Sequence, residues 1–393
     1  MLPYWRLSGY YFFYFAFIGA FSPYFTLYLQ SLEFSARDIA ILMSLMQVMR
    51  LVAPNVWGWL AERSGSRAPI VRLSAIASLA GFSIFFLTTG FGGVFAGMAL
   101  MAFFWSAALP LVESITFTHL GGEGHRYGSI RVWGSVGFIV AVLGIGHALD
   151  WLPVASVLWM SASMLAGIVL CAFAIPEAVR PPLACAQASL GETLRRPHVR
   201  AFLGACFFMS AAHGALYVFY SIHLVDHGYG KSVVGWMWTL GVVAEIAVFL
   251  LMPRLMKRVA LRAILVGSLA AAVLRFGMIG WGADSLALLI LAQLLHGATF
   301  GAFHAAAISL VHQWFPGSLQ ARGQALYGSL SFGAGGMLGG LISGFTWEPF
   351  GAAATYTLGS AFALVGLAWL LRGWRPGEGT VADGAGERGG RSA

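Results

Sequence analysis

The chain has 393 residues, 59% of them apolar and only 10% charged, with a formal net charge of +8 and a mean hydropathy of +0.79. A water-soluble fold of that composition has too few polar residues to cover its surface, so the basic balance is not the footprint of a soluble nucleic-acid binder. The composition leaves an integral membrane protein.

Apolar runs long enough to cross a bilayer, about 20 residues each, predict twelve spans. In chain order they cover approximately 6–30, 37–60, 69–90, 93–119, 129–149 and 153–174, then 200–224, 233–253, 261–282, 286–311, 323–346 and 351–371. The runs are continuously apolar, whereas the strands of a membrane barrel alternate over about ten residues, so the spans are helices. The expected fold is an all-α polytopic membrane protein of two six-helix bundles. Residues 1–175 would form the first bundle, 176–199 a cytoplasmic linker, 200–372 the second bundle, and 373–393 a Gly-rich, charged tail expected to be disordered. Pro181, Pro182, Arg180, Arg195 and Arg196 mark the linker. A faint internal repeat supports the division: span 2 ends in Ala53 and Pro54 before a charged loop, and span 8 ends in Met252 and Pro253 before the basic RLMKR.

Charge gives the topology. Of 23 Lys and Arg residues, Arg37 and Lys231 fall in the odd-numbered loops, Arg50 and Arg275 lie within spans, and the other nineteen sit at the opposite face. Positive residues stay inside, so both termini are expected to be cytoplasmic in a bacterial inner membrane. The first span is too long for a removed signal peptide and lacks a small-residue cleavage site after it. Cys171, Cys185 and Cys206 have no framework or metal spacing and read as inert thiols.

The loop between spans 2 and 3 reads GWLAERSGSR, from Gly58 to Arg67. Its pattern (Gly, three residues, an acid, Arg, any residue, Gly, any residue, a base) resembles the signature loop of the major facilitator superfamily. Gly58 and Gly65 suit close approach and a tight reversal, and Arg63 and Arg67 hold the loop inside. The resemblance implies that Glu62 docks on the N-terminus of the eleventh span, where the helix dipole favours an anion, and that the loop gates the carrier.

Charged residues at the bilayer centre cost roughly 2.5 to 3.5 kcal/mol on insertion scales and need a reason to be there. Two acids lie deep in spans, Glu113 in span 4 and Glu245 in span 8, with Arg50, Arg131 and Arg275 as basic counterparts. The short hairpin between spans 4 and 5 is expected to bring Glu113 and Arg131 together. That pair is either a structural ion pair or an arginine held by an acid until a substrate carboxylate or hydroxyl competes for it. Glu245 shares its span with no base, so it needs a partner from another helix or a proton, which makes it the candidate for proton coupling. His296, Phe300 and His304 recur every four residues and share one face of span 10, and His213, Tyr217 and Tyr220 make a similar face in span 7. These faces are candidate cavity linings as well as ordinary packing. No acid or cysteine accompanies the histidines, so no metal site is expected. Gly336, Gly340 and Gly344, beside Gly333 and Gly339, read as a packing stripe in span 11.

Three stretches, YGSIRVWGSVGF from Tyr127, GWMWTLGVVAEIAVF from Gly235 and LLHGATFGAFH from Leu294, resemble the phenylpropionate permease family of proton symporters over nearly the whole chain. More remotely the chain is similar to the lactose/proton symporters. That likeness places Glu113, Arg131, Arg275 and His296 where those carriers keep charged and proton-handling residues. Thr299 stands where they keep the proton-carrying acid, which passes that role to Glu245, aided by His296 or His304. The expected function is proton-coupled uptake of a small aromatic or partly apolar carboxylate. Arg131, His213, Tyr217, His296, Phe300 and His304 would contact the substrate, and Glu245, Glu113 and His296 would handle the proton. Sugar or nucleoside symport, and drug efflux, are alternatives on the same scaffold. The chain shows no enzyme motif, and the resemblance implies no cofactor beyond the proton and a carrier that works as a monomer in the lipid bilayer.

Overall fold

The computed structural model describes residues 2–121, 123–177 and 190–375, without the side chains of residues 54, 55, 62, 125, 318 and 321. The Glu62 side chain, the linker residues Arg180, Pro181 and Pro182, Cys185 and the tail beyond 375 lie outside the described residues. The first six spans are α1 (Tyr4–Ser31), α2 (Ala36–Ser64), α3 (Ala68–Ser83), α4 (Phe91–Leu120), α5 (Tyr127–Leu149) and α6 (Ser156–Ala174). A short helix, α7 (Leu190–Arg195), precedes the second set.

The second set is less regular. Span 7 is two helices, α8 (Pro197–Ala212) and α9 (Gly214–Asp226), broken at His213. Spans 8 and 9 are α10 (Lys231–Leu255) and α11 (Leu261–Trp281). Span 10 runs from α12 (Leu286–Leu294) through a π-helical segment, Gly297–Ala302, into α13 (Phe303–Trp314). Span 11 starts as α14 (Gln320–Gly328) and passes through a second π-helical segment, Ser329–Gly335. It then enters α15 (Gly336–Gly373), where Gly351 (φ 81°, ψ 167°) breaks the helix and divides span 11 from span 12. Among the described residues, ten helical stretches are apolar and long enough to cross a membrane, one of which, Arg322–Gly373, holds two spans. With α2, whose Arg37, Asp38 and Arg50 lower its hydropathy, the spans number twelve, as the sequence implies.

Local chemistry sets the helix ends. A capping box between Ser35 and Asp38 opens α2, and Gly65 closes it in the left-handed conformation (φ 69°) that a side chain would strain. Close crossings rest on glycine: a Cβ on Gly339 would run into the Ala211 backbone, and one on Gly214 into Gly339 and Gly340. The span 11 stripe lies against α2, Gly333 facing Leu51, Gly336 facing Gln47, Gly340 facing Ser44 and Gly344 facing Ala40. Packing is therefore the use of that stripe.

Among the described residues, the hydrogen bonds that join the two bundles all lie at the face away from the termini. Asp150, at the end of α5, accepts from the N–H groups of Lys231 (2.7 Å) and Ser232 (3.2 Å) at the start of α10. Glu348, near the end of span 11, accepts from Ala36 N–H at the start of α2 (2.7 Å). Gln30 reaches Asp226 at 3.4 Å, and Tyr24 reaches the Lys231 carbonyl at 3.4 Å.

Candidate functional site: ionisable residues within the spans

Glu245, His213, His296, His304 and Arg275 all belong to the second bundle, and Glu113 and Arg131 to the first. Glu245 and His296 meet, Oε2 to Nε2 at 3.8 Å. The contact depends on the tenth span: a Cβ on Gly297 would strike the Ala244 carbonyl at 2.7 Å, and the Gly301 position lies 3.4 Å from Glu245 Cγ. Small residues on the π-helical segment thus let α10 approach, and a π-turn inside an otherwise α-helical span is a frequent mark of a functional site. Nothing in the sequence reading anticipated it. His296, Phe300 and His304 form one column of stacked rings, 5.3 and 5.9 Å apart at 15° and 13°, so the shared face survives the π-turn. His304 Nδ1 meets Tyr327 Oη at 2.9 Å.

The expected contact of Glu113 with Arg131 does not form. Glu113 accepts instead from the Tyr127 hydroxyl at 3.0 Å. The Arg131 guanidinium lies 3.9 Å above the Phe15 ring and 5.8 Å from Tyr11. Tyr127 opens α5 and reaches back across the hairpin first, while Arg131, one turn on, faces the rings of α1. Arg131 remains within electrostatic range of Glu113 and of Glu245 in the other bundle.

Arg275 is fully buried, with no acid beside it among the described residues. It donates to the Ala292 carbonyl (2.9 Å), Thr299 Oγ1 (3.1 Å) and Gln293 Oε1 (3.2 Å), and meets His213 Nε2 at 3.2 Å. His213 Nδ1 contacts the Met209 carbonyl at 2.8 Å, where the seventh span breaks. Neutral acceptors satisfy this arginine. The sequence offered the clue, since a lone arginine in a span without an acid must be met by carbonyls, amides and hydroxyls.

A small cleft within the second bundle adjoins this cage, and Tyr217, Thr299, Phe300, Ser331 and Phe332 are among its lining residues. His213 and His304 also line it. Four of the expected substrate residues, His213, Tyr217, Phe300 and His304, therefore share one cleft; His296 stands beside it through its ring contact with His213. Arg131 is held on the other bundle. Tyr327 and Ser331, which no sequence pattern marks, also line the cleft, as does Cys206, read from the sequence only as an inert thiol. Ser331 lies on the second π-helical segment, which carries no sequence mark beyond its glycines. No cluster of three or more potential metal ligands exists among the described residues.

The signature loop is built around a residue outside it. Glu177, just past α6, accepts from Ser66 Oγ (2.8 Å) and from the N–H groups of Arg67 (2.8 Å) and Ala68 (2.7 Å), so an acid does sit on a helix N-terminus here, that of α3. Arg67 is buried, donates to Ser114 Oγ (2.7 Å) and Thr118 Oγ1 (3.2 Å), and pairs with Glu177 at 3.7 Å. Arg63 lies over Trp59 at 5.4 Å.

Twelve spans among the described residues, in two bundles with ionisable side chains buried inside them, define a secondary membrane transporter of the major facilitator type. The chain belongs to the MFS_1 like family, which matches residues 4–358. It is 29% identical over 366 residues to a "Probable 3-phenylpropionic acid transporter" of Escherichia coli (strain K12), covering 88% of this chain and 92% of that one. It is 26% identical over 367 residues to the maltose permease of Geobacillus stearothermophilus, covering 92% of each. Among solved structures, a mutant of the nucleoside transporter NupG superposes with a TM-score of 0.83 at 18% identity, covering 94% of this chain and 99% of that one.

Proposed function

We propose that the protein is a proton-coupled symporter that imports a small, partly apolar monocarboxylate across a bacterial inner membrane. The observation that supports this reading is the charge within the spans: Arg50, Arg131 and Arg275 stand against Glu113 and Glu245, an excess of one positive charge in otherwise apolar and aromatic surroundings. A monoanion neutralises that excess, and its apolar body suits the aromatic walls. The relative that carries the name of a 3-phenylpropionic acid transporter points the same way.

Glu245 is the proton site in this reading. Its charge offsets that of Arg131 in the other bundle, and protonation removes that tie between the bundles, so loading a proton and loosening the halves become one event. The face bearing the termini is the cytoplasmic one, by the distribution of Lys and Arg, and the joined face is periplasmic. The segment 176–199 links the bundles inside the cell.

Uptake into proteoliposomes tests the proposal. With the interior alkaline, labelled 3-phenylpropionate is expected to accumulate above its external concentration, and a protonophore to abolish the accumulation. Accumulation of maltose or a nucleoside, with none of the acid, would replace this reading with a sugar or nucleoside symporter.

A further inference from the structure

The three arginines within the spans differ in what already surrounds them. Arg275 is saturated by four neutral groups. Arg131 lies on Phe15 with two glutamates in electrostatic range. Arg50, in the middle of α2 and only partly buried, has neither an acid nor a hydrogen-bond acceptor among the described residues. A guanidinium left so inside a span is costly unless an anion or water meets it.

Its neighbours come from both bundles. Arg50 lies within electrostatic range of Tyr14 and of Tyr217. Tyr14 is stacked on Trp105 at 4.6 Å and 8°, and Tyr217 on Trp238 at 6.3 Å and 24°. One Tyr–Trp stack is supplied by spans 1 and 4, the other by spans 7 and 8, and α2, which carries Arg50, packs against spans 1, 4 and 7.

We infer that Arg50 is the carboxylate anchor of the substrate, and that the Tyr14–Trp105 and Tyr217–Trp238 stacks hold its aryl body. The assignment rests on the carboxylate reading above and moves the anion contact from Arg131 to Arg50. An anion approaching Arg131 meets two carboxylates, which repel it; at Arg50 it meets none and can take both prongs of the guanidinium. Arg131 is then free to answer to the charge of Glu245. A ligand gripped by a stack from each bundle also bridges the halves, as occlusion requires.

Equilibrium binding to the purified full-length protein, followed by tryptophan fluorescence, tests this with 3-phenylpropionate and its uncharged amide. The wild-type protein is expected to prefer the acid by about tenfold or more, as a charge-assisted bidentate contact implies. In Arg50→Gln the acid should fall to the affinity of the amide while amide binding is kept, which also shows that the variant is folded. Arg50→Lys should retain part of the preference and Arg131→Gln most of it. A wild-type acid preference in Arg50→Gln overturns the assignment, and so does equal loss of both ligands in Arg50→Gln and Arg50→Lys. A wild-type protein without any preference for the acid overturns the carboxylate reading itself, before the variants are compared.

Discussion

Glu245 shows what a single residue contributes here. A carboxyl group within an apolar span needs a partner or a proton, and the structure offers His296 at 3.8 Å and, within electrostatic range, Arg131 of the other bundle. If its protonation permits turnover of the loaded carrier, Glu245→Gln imitates the protonated state permanently. Substrate should then bind and exchange across the membrane at near wild-type rates, since exchange moves no net proton, while accumulation driven by a pH gradient disappears. Concentrative uptake by Glu245→Gln at wild-type levels would assign the proton to another residue, with His296 next. The need of Glu245 for a partner was legible in the sequence because burial of charge is costly wherever it happens. The identity of the partner was not, since it depends on which faces of spans 8 and 10 meet. The same limit explains Glu113: its hairpin was readable, but whether Tyr127 or Arg131 would reach it depends on the rotation of α5 against α1.

Pairs of elements hold the bundles together at the face away from the termini. In each of two contacts a carboxylate caps the N-terminus of a helix from the other bundle: Asp150 on α10 and Glu348 on α2. Such contacts contribute about 0.3 to 1 kcal/mol when exposed, and up to ~2 kcal/mol when partly buried. Replacing both, as Asp150→Asn with Glu348→Gln, should therefore raise the population open at this face by roughly tenfold. Spin labels at Leu152 and Asp284 should report longer distances in the double variant; an unchanged distribution would show that the contacts do not govern opening. Partial burial works against the charge of Asp150. The Ser232 hydroxyl, the N–H groups of Lys231 and Ser232 and the Lys231 ammonium outweigh it and hold the carboxyl below its usual 3.8. A lowered value means the contact is strongest where the group is ionised, and is lost only as pH falls through that lowered value. The Asp150 contact is therefore expected to keep the same strength across the physiological range, leaving proton dependence to the residues within the spans. Sequence could not have paired these elements, because an acid at a helix end caps whatever N-terminus the tertiary fold brings to it.

Over the whole molecule, the two capping contacts are related by exchange of the halves. Span 5 with span 8 becomes span 11 with span 2 when each number moves by six, the relation expected of a carrier built from two repeats. With both contacts made at the far face, the bundles are expected to part at the face bearing the termini. That face is the cytoplasmic one if the basic residues set the orientation. Reporter fusions after Arg180 and after Arg375 should both read as cytoplasmic, and a periplasmic signal from either would reverse the orientation and with it the direction in which the structure is open.

By itself the sequence determined the membrane class, the twelve spans, the signature loop and the set of ionisable residues that had to be buried. These follow from local quantities: the length of apolar runs against bilayer thickness, the conformational demand at Gly65, and the cost of charge in hydrocarbon. Only the tertiary structure decided that His296 meets Glu245, that Arg275 is satisfied by neutral groups, that Glu177 caps α3, and that Arg50 has no acid or hydrogen-bond acceptor among the described residues. Those outcomes depend on helix rotation and on close approach at Gly297, Gly301 and Gly339. Within an almost uniformly apolar span, every face looks alike to the sequence, and only the packing of neighbours distinguishes them.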